Sequence, residues 1–248
     1  MPPKDTVRIA ALGDLHYGRT TPAGSLQPLF AQINDSADIL ALCGDLTDYG
    51  LVDEARALVK ELIPTLKIPI VAVLGNHDFE SGHQEEVSHI LSDTGLHMLD
   101  GEACEINGIG IAGVKGFCGG FGTAALGPWG EPTIKQFVHE AVNEALKLEA
   151  SLARLRSKKQ VVLLHYSPVR ETVEGEPLEI YPFVGSSRLE EPITRFPVSL
   201  VVHGHAHRGR HEGRTKNNVP VYNVSLPLLG RVFAGRPPFL VLEVAVDA

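Results

Sequence analysis

Five short apolar runs, each stopping at residues that carry chemistry, constrain most of what this 248-residue chain can become. They read VRIAALGD (7–14), DILALCGD (38–45), IPIVAVLGNHD (68–78), QVVLLHYSP (160–168) and VSLVVHGHAH (198–207). Their Val, Ile, Leu and Ala residues follow one another without polar alternation, the pattern of strands covered on both faces. Helical spacing separates several of them, at Leu51–Leu62, Gln84–Ser92 and Ile134–Arg156. The last places Ile134, Phe137, Val138, Ala141, Val142, Ala145, Leu148 and Leu152 on one face. Strand–helix alternation of this kind predicts an α/β fold with much parallel sheet.

Two regions depart from the alternation. His97–Gly113 reads as short strands broken at Gly101 and at Asn107-Gly108, the latter a hairpin signal. Toward the C-terminus come VPVYNV and FLVLEVAV with no clear helix between them, and these segments together predict a second, more antiparallel sheet. GFCGGFGTAALGPWG (116–130) holds six glycines and no period, which predicts a long loop. Apolar residues make up 44% of the chain and no Pro/Ser-rich linker or charge block divides it, so residues 1–248 are expected to form one domain.

The run ends are Asp14-Leu15-His16, Asp45, Asn76-His77-Asp78, His165 and His205-Ala206-His207, all able to bind metal. Ligands of open α/β sheets bind beyond the carboxyl ends of the strands, so five converging ends make one site. Asp14 and His16 are two apart, as are His205 and His207, and in an extended segment such pairs point the same way. Oxygen and nitrogen donors without a thiolate suit Mn, Fe or Zn and disfavour a structural zinc cage. Asp14, His16, Asp45, Asn76, His165, His205 and His207 are too many for one tetrahedral ion; two ions sharing a carboxylate fit better.

Charge narrows the partners. Lys and Arg number 22 against 30 Asp and Glu, a net charge of −8, which weighs against binding nucleic acid by broad phosphate neutralisation. A positive field for an anionic substrate would then come from metal ions. Cys43, Cys104 and Cys118 are widely spaced and never C-x-x-C, so they are expected to be buried thiols. No apolar run approaches the roughly 20 residues of a membrane span. The N-terminal segment lacks the apolar core and cleavage site of a signal peptide, which makes the cytoplasm the expected location.

The ordered series D-x-H, G-D-x-x-D, G-N-H-D, a strand-end His and G-H-x-H, running from residue 14 to 207, resembles the calcineurin-like metallophosphoesterase superfamily. That resemblance implies a four-layer αββα sandwich of two mixed β-sheets with the metals at the carboxyl ends of the strands. It implies that Asp14, His16 and His207 bind one ion, that Asn76, His165 and His205 bind the other, and that Asp45 bridges them. His77 is similar to the histidine that contacts the substrate phosphate and can protonate the leaving oxygen, and Asp48 matches the carboxylate that orients and charges it. The implied activity is hydrolysis of a phosphomonoester or phosphodiester by hydroxide activated between two divalent ions, Mn or Fe first and Zn as a third option.

Two departures from the family pattern bear on substrate. Tyr49 stands in GDLTDYG where protein phosphatases have an arginine (GDxxDRG), and Tyr-Ser-Pro follows His165 where many relatives have a Pro-rich turn. The second leaves the substrate class open; the first favours a nucleotide or other small phosphoester, nearer the cyclic-nucleotide phosphodiesterase-like branch, over a phosphoprotein. In the 116–130 loop Phe117, Phe121 and Trp129 are candidate substrate contacts, since flat rings can stack on a base. The resemblance gives His203 no role, so it reads as support for the ligands, as does Asp78. Two other readings stand beside this one. A non-catalytic metal-binding module on the same fold would usually lack a ligand, and none is missing; a mononuclear iron oxygenase would leave four of the seven candidates unexplained.

Overall fold

The computed structural model describes residues 5–246. A five-stranded sheet is built from β1 (Thr6–Leu12), β2 (Ile39–Cys43), β3 (Ile70–Val73), β4 (His97–Met98) and, at its far edge, a C-terminal strand Leu240–Ala245. A six-stranded sheet holds β5 (Glu102–Ile106), β6 (Ile109–Gly113), β7 (Gln160–Leu163), β8 (Val198–His203), β9 (Glu212–Arg214) and β10 (Pro220–Asn223). The C-terminal strand is β11, and the orders are β11-β1-β2-β3-β4 and β5-β6-β7-β8-β10-β9.

Alternation along buried strands sorts the side chains into layers. Val7, Ile9, Ala11, Ile39, Ala41, Val71 and Val73 face inward and meet Ile109, Ile111, Val161, Leu163, Leu200 and Val202 of the other sheet. The intervening Ala10, Leu12, Leu40, Leu42 and Ala72 pack outward under α1 (Gln27–Ser36), α2 (Val52–Thr65) and α3 (Gln84–Ser92) through Phe30, Ile33, Leu58, Leu62, Val87 and Leu91. On the opposite side Ala112, Val162 and Val201 pack against Leu148 and Leu152 of α4 (Pro132–Arg154). The result is the four-layer αββα arrangement expected for the chain. No helix among the described residues is long and apolar enough to cross a membrane.

One expectation holds: the second sheet is mixed and the more antiparallel of the two, with two antiparallel pairings among five, against one among four in the first. Others change. FLVLEVAV does not join that second sheet: β11 pairs antiparallel with β1, Thr6 opposite Ala245 and Ala11 opposite Leu240. A helix, Leu226–Val232, does lie between β10 and β11. Two short helices, α5 (Tyr181–Val184) and α6 (Glu190–Ile193), precede β8, which makes the helix before β11 α7. The Asn107-Gly108 hairpin is present, with φ of 52° and 80° at its two central residues, the combination that joins twisted strands tightly. Residues 116–130 are irregular except for a single 3-10 turn at Gly122–Ala124. Cys43 and Cys118 are buried free thiols, and Cys104 is half-buried.

Candidate metal centre

β1, β2, β3, β7 and β8 end on the same rim; Gly13 N–H donates to Val224 O at 2.9 Å between the two sheets, and further backbone bonds join the loops within each sheet. Asp14 N–H donates to Gly44 O at 2.9 Å and Gly204 N–H to His165 O at 3.2 Å. The candidate ligands all lie past the last strand residue, and the extended-pair argument does not hold for them. Asp14, His16, Asp45 and His205 take left-handed φ values of 58°, 44°, 47° and 68°. A non-glycine residue held there costs on the order of 1–3 kcal/mol and persists only where the surroundings over-determine it. Tight turns, not strand alternation, bring these side chains to one place.

The glycines of the motifs make room for ligands from neighbouring loops. A Cβ on Gly44 would lie 2.6 Å from Cγ of His165, one on Gly75 2.8 Å from Cγ of Asp45, and one on Gly204 2.7 Å from the Cys43 carbonyl and hard against Asp14 Oδ2. Gly204 therefore serves by close approach; the left-handed turn belongs to His205.

Two sets of side chains meet at Asp45. Ligand-capable atoms of Asp14, His16 and His207 lie within 4.8 Å of one another, as do those of Asp45, His165 and His205. Asp45 Oδ2 is 3.7 Å from His16 Nε2 and its Oδ1 is 3.3 Å from His165 Nε2. Asn76 Oδ1 stands 2.9 Å from that same His165 Nε2. His207 Nε2 is 2.9 Å from Asp14 Oδ1. Protons are directed away from the centre: His165 Nδ1–H donates to Cys43 O at 2.9 Å and His205 Nε2–H to Phe183 O at 3.2 Å, leaving the other ring nitrogen as a lone-pair donor.

The chemistry of this donor set fits divalent cations. His16 Nε2 is buried with no hydrogen-bond partner, an orphan aimed into the cluster. Burial lowers the pKa of His16, and burial together with His165 lowers that of His205 to about 3, so both rings are neutral and ready to ligate. Burial pushes Asp14 upward, but the His207 hydrogen bond and the surrounding histidines outweigh it and hold the carboxyl below its ordinary value.

Behind the ligands, Asp78 is buried and accepts N–H bonds from Leu46 (3.2 Å), Thr47 (2.8 Å) and Gly75 (2.8 Å) and the Thr47 hydroxyl (2.6 Å). It clamps the Asp45 loop to the Asn76 loop. His203 is buried beneath the site, its Nδ1–H donated to Gly204 O at 2.8 Å and its Nε2 bonded to Thr172 Oγ1 at 2.8 Å. Burial lowers its pKa to about 4. Asn223, not singled out from the sequence, donates to Ala206 O at 2.7 Å and fixes the turn between His205 and His207. It ends β10, so the same strand-end signal marks it.

His77 sits at the rim, its ligand-capable nitrogen within 4.8 Å of those of His16 and Asp45. Asp48 meets the His77 ring through its main chain, while its carboxylate acts on the ring by charge alone. His77 Nδ1–H donates to the Asp48 backbone carbonyl at 2.7 Å, whereas the Asp48 carboxylate lies 3.6 Å from His16 Nδ1. The close approach of Gly18 to Asp48, and the Asp48 N–H bond to Tyr17 O at 3.2 Å, turn that side chain toward the His16 loop. Glu80, missed in the sequence, lies 3.8 Å from His77 Nδ1. Burial lowers the His77 pKa, but the Asp48 carbonyl and the charges of Asp45, Glu80 and Asp48 prevail and raise it above the ordinary value.

The three aromatic candidates separate. Phe117 lines a cavity of about 490 Å3 together with Asn76, Phe137 and Tyr166. Phe121 packs against Gly185, Val184 and Ala206 and faces a different cavity, with Arg170 and Arg214. Trp129 is 70% exposed and lies over Gly127. Neither lines the Asn76 cavity.

Comparison with known proteins agrees with this geometry. Over 200 residues the chain is 25% identical to the UDP-2,3-diacylglucosamine hydrolase of Vibrio vulnificus, an alignment covering 77% of this chain and 76% of that protein. The phosphopantetheinyl hydrolase from Mycobacterium tuberculosis shares the fold with a TM-score of 0.67 at 19% identity, over 94% of this chain and 95% of that one. A Thermus thermophilus protein shares it at 0.56 and 15% identity, over 98% and 100%. The family model described as calcineurin-like phosphoesterase matches residues 7–209. Since that match takes in every motif from Asp14 to His207, the chain belongs to the calcineurin-like phosphoesterase family, enzymes that hydrolyse phosphoric esters with the help of metal ions.

Proposed function

We propose that this enzyme is a dinuclear phosphoesterase acting on a nucleotide or another small organic phosphoester. The observation that carries the reading is the position of Asp45, one carboxylate oxygen toward His16 and the other toward His165, between two sets of donors. Asp14, His16 and His207 would hold one ion; Asn76, His165 and His205 would hold the other. Bound divalent ions, Mn or Fe in first place, supply Lewis acidity at the phosphoryl oxygens and a water acidic enough to act as nucleophile.

The chain's own residues do the rest. With Nδ1–H committed to the Asp48 carbonyl, His77 offers Nε2 as its exchangeable position. In the metal-free chain the Asp48 carbonyl and the neighbouring carboxylates favour a proton on the ring; passed from Nε2 to the leaving oxygen, it would play a role typically worth ~10²–10⁴-fold in rate. The Asn76 cavity of about 490 Å3 has room for a small organic group. The net charge of −8 repels polyanions more than a compact ester, and both named relatives are by name hydrolases of phosphate-bearing small molecules.

The test is direct. Metal-stripped enzyme reloaded with Mn2+, Fe2+ or Zn2+ should turn over p-nitrophenyl phosphate or bis-p-nitrophenyl phosphate and bind two ions per chain. No turnover of either ester with any of the three metals would overturn the reading; one ion per fully active chain would overturn its dinuclear part.

A further inference from the structure

We propose that Lys115 is a specificity-determining residue that binds a second anionic group, carboxylate or phosphate, on the organic side of the ester. The proposal rests on the phosphoesterase reading and adds a substrate class to it. Lys115 follows β6, and its carbonyl accepts the N–H groups of His165 at 3.0 Å and Tyr166 at 3.1 Å, so its backbone is fixed beside a candidate ligand. Its side chain lines the same cavity as Asn76.

The ammonium is boxed by rings: Nζ is 5.2, 5.0 and 5.3 Å from the ring centres of Phe79, Phe117 and Tyr166. One hydrogen bond goes to the Gly116 carbonyl at 3.0 Å. Among the described residues no carboxylate forms an ion pair with it. Glu144 is engaged by Gly116 N–H at 2.7 Å and Lys147 at 2.8 Å, and Glu140 stands exposed at the cavity mouth. An ammonium has three donors, and ring faces stabilise its charge without satisfying them. Largely withdrawn from water, with Glu144 and Glu140 acting on its charge only through space and neither in ion-pair contact, it provides a socket for an anion.

The cavity runs from Asn76, at the metal centre, to Lys115, with Phe117 and Phe137 along its wall. An ester whose phosphorus sits at the centre would lay a flat or apolar body over those rings and bring a second charge to Nζ. Three recognitions are thereby divided: the centre takes the phosphoryl group, the rings take the body, and Lys115 takes the distal anion.

Phosphonates that bind without being turned over isolate the effect. Calorimetry on Mn2+-loaded enzyme would compare phenylphosphonate with 4-carboxyphenylphosphonate and 1,4-phenylenediphosphonate, the last two separating carboxylate from phosphate as the preferred anion. Wild type should bind at least one charged probe about tenfold more tightly than phenylphosphonate, in keeping with a charge-assisted hydrogen bond. Lys115→Met should abolish that ratio and Lys115→Arg should retain part of it. Where the Met variant disturbs the ring box, as judged by thermal melting and metal content, Lys115→Gln gives the same readout. The proposal fails if wild type shows no preference, if the preference survives loss of the lysine, if all probes weaken equally, which would place Lys115 on the reacting phosphoryl group, or if none binds. Turnover of p-nitrophenyl esters is measured separately, so a chain that hydrolyses esters without this preference loses only the Lys115 assignment.

Discussion

Removing Asp45 and removing His77 should break the centre in different ways. Asp45→Asn withdraws a charge shared by two donor sets and should lose bound metal and activity together, read by elemental analysis and steady-state rates. His77→Ala should keep metal and lose about 10²–10⁴-fold in kcat. Asp48→Asn should cost far less than His77→Ala, because the Asp48 carbonyl, and not its carboxylate, orients the ring. Equal losses in these last two variants would restore the carboxylate's expected role. His203 gives a stability prediction. Its folded pKa of about 4 lies below the ordinary 6.5, so between those values the unfolded chain binds the extra proton. Metal-free protein should therefore lose stability as pH falls from 6.5 toward 4, and His203→Gln should flatten, though not remove, that slope in urea unfolding, since His205 acts in the same direction. Strand-end signals marked Asp14, His16, Asp45, Asn76, His165, His205 and His207. Nothing local marked which atom of Asp48 faces His77, because that depends on how the loop at Gly18 packs.

At the level of elements, apolar runs long enough to show their period were readable. β2, β3, β7 and β8 fall inside their runs, β1 begins one residue before its own, and α3 has the expected bounds. α1 escaped because its apolar face within Gln27–Ser36 amounts to Leu29, Phe30 and Ile33, and α7 because seven residues, LPLLGRV, begin with a proline near N1 and carry an internal glycine. The loops between strand and helix have the narrowest tolerance. Gly75→Ala puts a Cβ 2.8 Å from Asp45 Cγ, with backbone on both sides of the clash. It should cost about 1–3 kcal/mol in urea unfolding, as overpacking does, and lower metal occupancy as well. A variant with full metal content would show that the Asp45 loop can yield.

Across the whole molecule, the candidate centre draws Asp14, His16, Asp45 and Asn76 from the loops of one sheet and His165, His205 and His207 from those of the other. Ions bound there would bridge the halves of the sandwich and stabilise only the folded chain, by about 2.7 kcal/mol at a hundredfold excess over Kd. Chelation should lower the melting temperature and added Mn2+ should restore it; an unchanged Tm would mean that the loops hold their positions without metal. Which sheet β11 joins was not legible, since strand pairing is decided by partners more than two hundred residues apart and FLVLEVAV fits either edge. That long-range pairing has a consequence for synthesis. β1 is made more than two hundred residues before Leu240–Ala245, and its outer edge stays open until that strand exists. While those intervening residues are being added, the nascent chain carries an exposed apolar strand edge, the feature most prone to pair with another copy, so its yield in the cell should depend on translation speed and on chaperones that shield that edge.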